Sequence, residues 1–521
     1  MCFKNGSFAL TINLLPIDPN SLPEDPKVLQ QMLVDLTAQL DKTQRMLRQL
    51  LAAKSGVRSE QISAEQLRLF AQELGIQGIV EASAESRNDE KSDPPPGVGN
   101  SGGGKTPRGR QALPRHLKRE RIVHDLAEAE KHCGACGKDL RHIGEEVSER
   151  YEYIPAQMLV IEDACQKYAC ACKILTATKP AQPIEKSTAS ASVLAQVIVS
   201  KVADHLPLHR QVKMLRRFGI ELSDQTLCGW LRQSAELMEP LYERAKAFVF
   251  CSKVVGTDDT PVKVLDRTLP HTRKGRFWPY VGDREHPAVV YDYTPTRERA
   301  GPEKFLARYK GYLQLDAYPA YDAFFLKRER GLVEVGCWAH ARRHAFQARE
   351  TDPARMGAVL AYIGQLYAVE KRARKGGIEG EDLRLLRQDV GRPVMTELHA
   401  YLEKIQDELL PKSDAGQAVA YILKNWVALT RYLDDGDLQI DNNRTERSLR
   451  GIAIGRNNWT FLGSDRGGRT MAILRTFVSS CELNQIDPFA WFCDVLARIP
   501  SHSIQKLDRL LPHNWVASRP A

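Results

Sequence analysis

The stretch KVVGTDDTPVKVL, residues 253–265, decides the fold class of this chain. Most of its residues favour β-strands, yet two adjacent carboxylates, Asp258 and Asp259, interrupt the run. Aspartate disfavours strands, and acids inside a strand are costly unless a cation or a hydrogen-bond donor compensates them. The stretch therefore predicts a strand whose acids bind a cation or pair with donors.

Similar signals follow along the chain. A second short strand, YLQLD, ends in Asp316, and WPYV (278–281) and VVYDY (289–293) predict further strands between the two acids. VEVGCWAHARR (333–343) is typical of a strand that leads into a helix. DNNRTERSLR (441–450) begins a later helix, in which Glu446 is surrounded by arginines.

Two acids on neighbouring strands and one on a later helix can converge as oxygen ligands for Mg²⁺. Two such ions, about 3.5–4 Å apart, stabilise the attacking and leaving oxygens of a phosphoryl displacement. The candidate ligands are Asp258, Asp316 and Glu446, and the alternative is that each is a solvated surface acid. Residues 442–470 carry six arginines against two acids, a balance that suits a polyphosphate substrate.

Length and composition indicate a multidomain globular protein. The 521 residues are 43% hydrophobic and 27% charged, with a net charge of +9, so a wholly disordered or fibrous protein is excluded. No stretch has the roughly 20 apolar residues of a membrane span and no signal peptide is recognisable. We therefore expect a cytoplasmic protein without a membrane partner, whose 11 cysteines are reduced and available to metals.

Much of the excess positive charge lies in one segment. Residues 105–121 contain seven basic residues and one acid, and they follow a tract rich in Ser, Asp, Pro and Gly that predicts a flexible linker. Lys105, Arg108 and Arg110 form an extended basic motif that fits the minor groove of A·T-rich DNA. A solvated basic linker is the alternative interpretation.

The segment before this linker has a coiled-coil period. Apolar residues recur at alternating steps of four and three from Leu29 to Leu50, which is a seam of about three heptads. Such a seam predicts a homodimer or a higher oligomer, and a single amphipathic helix packed on its own domain is the alternative.

Four cysteines predict a structural zinc site. Cys133 and Cys136 form a C-x2-C-G turn, and Cys170 and Cys172 form the second pair after an alternating segment, 151–168, that predicts a hairpin. Four thiolates give a closed tetrahedral Zn²⁺ site. Substitute ligands are Cys165, His132 and His142, and the alternative to zinc is a set of buried cysteines without a metal.

A helix–turn–helix outline precedes the first acid. A helix through Arg216 is followed by Gly219, and Ser223 is positioned to cap a second helix that contains Trp230. This order of helix, glycine turn and capped helix is typical of DNA-binding helix-turn-helix units. Periodicity alone does not separate such a unit from an ordinary helical hairpin.

Taken in order, these motifs resemble the DDE-type transposases of the insertion-sequence-66 family of bacteria. The resemblance covers nearly the whole chain, from about Leu29 to Trp515. It rests on these stretches, in chain order: CGACG (133–137), IGEEVSE (143–149), YIP (153–155), SKVADHLPLHR (200–210), DDTP (258–261), GYLQLD (311–316), CWAHARR (337–343), IDNNRTER (440–447), RNNW (456–459) and GSDRGG (463–468).

The resemblance implies a multidomain α/β fold with an RNase H-like catalytic domain. It assigns Asp258, Asp316 and Glu446 as the catalytic acids and ligands of Mg²⁺ or Mn²⁺; Asp259 stands where the family usually has Glu, and it is the alternative first ligand. Cys337 and His340 resemble the C-x2-H found after the second Asp in several transposase groups, where a structural role is expected. Arg447, Arg450 and Arg456 are expected to contact DNA phosphates.

The implied domains follow the chain in eight segments. They are a coiled-coil arm (25–82), a flexible basic linker (83–112), a zinc-binding module (113–185), a helix-turn-helix-like domain (186–250), the first catalytic part (251–350), a helical insertion (351–437), the second catalytic part (438–484) and a helical tail (485–521).

The implied function is transposition, in which the enzyme binds the terminal inverted repeats of an insertion sequence, cuts DNA strands and joins them to target DNA. The implied partners are double-stranded DNA, a second protomer and small accessory proteins of the same element, in the cytoplasm near the bacterial nucleoid. The alternatives are an RNase H-like nuclease without strand transfer and an inactive DNA-binding regulator derived from such an element.

Overall fold

The computed structural model describes residues 25, 28, 30, 37, 157–169, 174–176, 181–316, 321, 325 and 331–516. Three predicted features lie outside these residues: the seam of the coiled coil, the basic motif at Lys105, Arg108 and Arg110, and the four candidate zinc ligands.

A small antiparallel hairpin belongs to a separate compact unit, Asp93–Lys179. Strand β1 (Lys167–Ala169) pairs with β2 (Ile174–Thr176), and the residues between them include Cys170 and Cys172. Of the hairpin predicted over 151–168, residues 157–166 form no strand and are exposed, whereas Lys167 and Tyr168 belong to β1. The described hairpin therefore lies later in the chain than predicted, because alternation alone does not identify the partner strand.

Three helices come before the main sheet: α1 (Ala191–Val202), α2 (Leu208–Arg216) and α3 (Asp224–Val249). Gly219 between α2 and α3 has a φ of +74°, a conformation that glycine adopts without strain. The Ser223 hydroxyl accepts a hydrogen bond from the Thr226 amide at 3.1 Å, so the predicted N-cap is confirmed. The apolar face of α3, which includes Trp230, Met238 and Leu241, is buried.

The central sheet has six strands in the order β4-β5-β3-β7-β8, with β6 also paired to β5. The strands are β3 (Val254–Thr257), β4 (Thr260–Val264), β5 (Arg273–Val281), β6 (Val289–Thr294), β7 (Gly311–Gln314) and β8 (Leu332–Val335). Strands β3, β7 and β8 are mutually parallel, whereas β5 is antiparallel to its neighbours. A short helix, α4 (Ala300–Phe305), lies between β6 and β7 in the chain.

Strands β3 and β4 are two halves of one extended segment. Both pair with β5 in a single continuous register, and the two halves are separated by Asp258 and Asp259. In this register Pro279 of β5 stands opposite Asp258, and proline has no N–H to donate to the ladder. The predicted strand with two interrupting acids is therefore confirmed.

A block of helices follows β8: α5 (Trp338–Ala348), α6 (Pro353–Gly376), α7 (Gly380–Leu386), α8 (Arg392–Gln406), α9 (Asp414–Lys424) and α10 (Trp426–Thr430), with a π-helical turn, Arg387–Gly391, between α7 and α8. The helices share a hydrophobic core, which includes Trp338, Leu366 and Leu398 and extends to Val254 and Val335 of the sheet. The nearly all-helical stretch predicted for 352–434 is confirmed.

Three further helices return to the sheet and to α1: α11 (Asn443–Trp459), α12 (Asp465–Leu483) and α13 (Pro488–Arg498). Helix α12 is buried along most of its length against β6, and α13 packs against α1. Within the described ranges, no helix combines the length and the apolarity needed to cross a membrane.

Candidate active site

The first two acids lie at the ends of adjacent parallel strands. Val254 of β3 pairs with Tyr312 of β7, and Gly256 pairs with Gln314. Two residues further along the same register, Asp258 stands beside Asp316. Because neighbouring strands are about 4.8 Å apart, this register brings two carboxylates to one edge of the sheet.

The electrostatics of Asp258 show that all three predicted acids are neighbours. Burial, together with the negative charges of Asp316 and Glu446, raises the pKa of Asp258 to about 7. Only the hydrogen bond from the Asp259 amide, at 2.6 Å, counts substantially in the other direction. Without a cation, the cluster therefore holds a proton near neutral pH.

The third acid is held close by the start of α11. Asn442, which precedes this helix, is buried and donates from its side-chain nitrogen to the Thr257 carbonyl at 2.8 Å. A Cβ on Gly256 would collide with the Thr445 hydroxyl, so only glycine at this position lets the helix approach β3 so closely. Glu446 comes one residue later and belongs to the same cluster as Asp258.

Asp259 has a different environment from Asp258, although the two are adjacent. Its carboxylate accepts from Arg276 at 2.6 Å and from Arg297 at 2.9 and 2.7 Å. The side chain is 3% exposed, and two guanidinium groups neutralise it. Since these bonds occupy both oxygens of Asp259, the geometry favours Asp258 as the acid that faces the cluster.

Cys337 and His340 are also close to Glu446. The Cys337 sulfur accepts a hydrogen bond from the Asn442 amide at 3.2 Å, and burial raises the pKa of this thiol to about 12. His340 Nδ1 is 3.8 Å from Glu446 Oε1. Ligand atoms of Cys337, His340 and Glu446 all lie within 4.8 Å of one another.

The donor set of the cluster fits a hard divalent cation. Carboxylate oxygens are the ligands that Mg²⁺ prefers, and Glu446 Oε1 is buried without a hydrogen-bond partner. The raised pKa of Asp258 gives a second reason, because the carboxylates of Asp316 and Glu446 contribute to it and a cation would relieve their repulsion.

The three predicted DNA-contacting arginines differ in their environment. Arg456 donates to the Thr260 hydroxyl and to the Pro261 carbonyl, both at 2.9 Å, so it ties α11 to β4. Arg447 and Arg450 are exposed on the same helix. Within the described residues, the Arg450 guanidinium has no ion-pair or hydrogen-bond partner.

Sequence reasoning missed Asn442 as the residue that joins the third acid's helix to the first acid's strand. It also missed Arg276 and Arg297 as the partners of Asp259. No local sequence signal identifies Asn442, because its side chain does not cap its own helix and bonds instead to a carbonyl that is far away in the chain.

Comparison with known families agrees with this arrangement. A model of the IS66 transposase family matches residues 186–470, and a model of the IS66 C-terminal element matches residues 476–513. Residues 130–173 match the zinc-finger binding domain of IS66 transposases. The chain therefore belongs to the IS66 transposase family, and the zinc-finger match, which contains all four candidate cysteines, supports a structural zinc site.

Three similar proteins come from Sinorhizobium fredii, and all three are described as uncharacterized. The protein y4jD is 33% identical over 96% of this chain and 98% of its own length. The protein y4hP is 32% identical over 78% and 77%, and y4qI is 30% identical over 90% and 88%.

Proposed function

We propose that this transposase binds the terminal inverted repeats of its element and catalyses metal-dependent DNA strand cleavage and strand transfer. One observation carries the proposal: the carboxylates of Asp316 and Glu446 raise the pKa of Asp258, whereas the adjacent Asp259 is paired with two arginines. Because neighbouring like charges repel one another, a cation bound between the three acids would relieve this repulsion.

The architecture supports an RNase H-like catalytic domain, as the family resemblance implies. The first two acids end parallel strands β3 and β7, and the helical block separates the second acid from the third. The helices of this block pack around one hydrophobic core, which also includes Val254 and Val335 of the sheet. This arrangement fits an insertion that packs on a catalytic domain.

Asp258, Asp316 and Glu446 would hold two Mg²⁺ or Mn²⁺ ions. When bound, such ions stabilise negative charge on the attacking and leaving oxygens of an in-line phosphoryl displacement. The protein's own contribution is positioning: the β3–β7 register sets the spacing of two acids, and Asn442 fixes the helix that carries the third. No side chain is needed as a covalent nucleophile.

DNA binding would involve several regions. Arg447 and Arg450 extend along α11 from the third acid and are free to contact phosphates, and Lys105, Arg108 and Arg110 would follow the minor groove. Cys133, Cys136, Cys170 and Cys172 would hold the zinc of the module that contributes to end recognition. The α2–turn–α3 unit would be a further contact, because α2 exposes Arg210, Lys213 and Arg216.

Pairing of two DNA ends requires two protomers, which the N-terminal coiled coil would supply, together with small accessory proteins of the element. The proposed location is the bacterial cytoplasm, at the nucleoid where the DNA substrate lies.

The test uses the full chain and the DNA that flanks its reading frame. Imperfect inverted repeats on both sides identify the element ends, and labelled end fragments are incubated with a target plasmid and Mg²⁺. We expect strand cleavage at the repeat and joining of the new 3′ end to the plasmid. A pre-cut end distinguishes the alternatives: cleavage without joining indicates a nuclease, and binding without either reaction indicates a regulator.

A further inference from the structure

Two buried polar atoms face each other beside the active-site cluster without a hydrogen-bond partner. They are Nδ1 of His340 and Oε1 of Glu446, and they are 3.8 Å apart. A buried donor or acceptor without a partner costs about 1–3 kcal/mol. Two such atoms at one place therefore indicate that an interaction between them forms in the active enzyme.

The backbone around this pair is fixed from both sides. The Trp338 amide donates to the Ile440 carbonyl at 3.1 Å, and the Cys337 sulfur accepts from the Asn442 amide at 3.2 Å. These two bonds join the start of α5, which carries His340, to the segment that leads into α11, which carries Glu446. The backbones that carry His340 and Glu446 are therefore held at a fixed distance, although the two residues are far apart in sequence.

A movement of about 1 Å by either side chain closes the gap to the 2.7–2.9 Å of a charge-assisted hydrogen bond. The Glu446 carboxylate then has one oxygen on His340 and leaves the other toward Asp258 and Asp316. Carboxylates that bind metals are commonly held in this way by a second hydrogen bond, and loss of such a partner typically weakens metal binding about 10–100-fold.

We propose that His340 is a positioning residue for Glu446: its Nδ1–H donates to Oε1 and orients the carboxylate toward the cation. This inference rests on the proposed function, in which Glu446 binds a divalent cation. It gives the C-x2-H motif two separate tasks, because Cys337 fixes the start of α11 and His340 orients the acid.

A different use of the same residues is direct metal binding by Cys337, His340 and Glu446, whose ligand atoms are close enough for it. The geometry favours positioning, because the Cys337 sulfur already accepts the Asn442 amide and a thiolate ligand would have to form in a buried place. Direct binding predicts a second zinc ion per chain, besides the ion of the zinc module.

The test measures Mn²⁺ binding to the full, zinc-loaded chain by electron paramagnetic resonance, with DNA cleavage as a second readout. For His340→Ala we expect a dissociation constant for Mn²⁺ about 10–100-fold higher, with most of the cleavage activity recovered at saturating Mn²⁺. His399→Ala is the matched control, since Nδ1 of His399 also lies close to a carboxylate, that of Glu403 at 3.3 Å, but this pair belongs to the helical block and not to the acid cluster.

Two amide substitutions keep the test valid if His340→Ala does not fold. The amide nitrogen of His340→Asn lies near the position of Nδ1, whereas that of His340→Gln lies near Nε2. We expect His340→Asn to restore Mn²⁺ binding to within a few-fold of the unsubstituted chain and His340→Gln to remain weak. Equal binding by both amides would overturn the positioning role.

The remaining outcomes separate this inference from the proposed function. If Glu446→Gln weakens Mn²⁺ binding and His340→Ala does not, the positioning role is wrong and the metal site stands. If neither substitution has an effect, the proposed metal site itself is wrong. If Zn²⁺ analysis finds a second ion that is lost in both His340→Ala and Cys337→Ser, the three residues are metal ligands instead.

Discussion

Two places in this molecule bury negative charge, and they treat it in opposite ways. In the helical block, Glu370 receives two hydrogen bonds from Arg387, at 2.7 and 2.8 Å, and Arg387 also donates to the carbonyls of Tyr432 and Asp435 at 2.9 Å. At the strand ends, Asp258 faces Asp316 and Glu446, and the negative charges of these two residues help to raise its pKa.

The difference separates structural charges from functional ones. A buried charge that serves the fold is paired and hydrogen-bonded, because the desolvation cost is otherwise uncompensated. Acids that repel one another, as Asp258, Asp316 and Glu446 do, would be stabilised by a cation from outside the chain. Asp259 and Asp258 repeat this contrast within two consecutive residues.

The largest expected effect is on activity. Asp316→Asn removes one cation ligand, so we expect cleavage and strand transfer to fall below detection while binding of the element ends stays near normal. Gel-shift and joining assays on the same preparation measure the two properties. Activity equal to that of the unsubstituted chain would refute the assignment of Asp316.

The buried pair of Arg387 and Glu370 should matter for stability. Arg387→Ala leaves Glu370 buried without a partner, and breaking a buried pair in this manner costs about 3–5 kcal/mol. We expect a clear loss of stability in urea unfolding. Arg384→Ala is the control, since Arg384 forms only a surface pair with Glu381, and we expect no measurable change.

Much of this organisation could be predicted from the sequence, and the reasons are local. The strands around Asp258 and Asp316 follow from their β-favouring residues, and the helix that carries Glu446 was predicted to begin near Asp441. The resemblance favoured Asp258 over Asp259, but the physical reason was not available from the sequence, because Arg276 and Arg297 reach Asp259 only in the folded sheet.

The proximity of His340 to Glu446 could not be predicted from the sequence either. The two residues are separated by the whole helical block and meet only because residues 337 and 442 hydrogen-bond to each other. The hairpin predicted at 151–168 was misplaced for a related reason. An alternating pattern was present, but the pattern does not identify the partner strand, and the described hairpin pairs Lys167–Ala169 with Ile174–Thr176.

The raised pKa of Asp258 predicts how stability depends on pH. Its value of about 7 in the folded chain is above the ordinary value of 3.8, so between these limits the folded state binds more protons than the unfolded state. Stability of the metal-free chain should therefore fall as the pH rises from about 4 to 7, by at most about 1.4 kcal/mol per unit from this group.

Thermal unfolding in a chelating buffer over this pH range measures the effect. Asp258→Asn should flatten the slope, and Mg²⁺ should raise the melting temperature most at pH 7 and above, where the carboxyl is ionised. A slope that is the same with and without Asp258 would contradict the charge cluster.

The smallest effect extends the contrast between paired and unpaired charges to the arginines of α11. Arg450 is exposed and has no partner in the described part of the chain, so Arg450→Ala should leave stability unchanged and weaken DNA binding a few-fold. Because each phosphate contact contributes about one unit to the salt dependence, the slope of log affinity against log salt should become shallower by about one.

Arg456→Ala should instead lower stability and leave the salt slope of DNA binding unchanged. It removes two hydrogen bonds to β4, each worth about 1 kcal/mol. Salt titrations of DNA binding and urea unfolding of both variants decide the matter: equal salt slopes for the two would mean that the environment of an arginine on this helix does not determine its use.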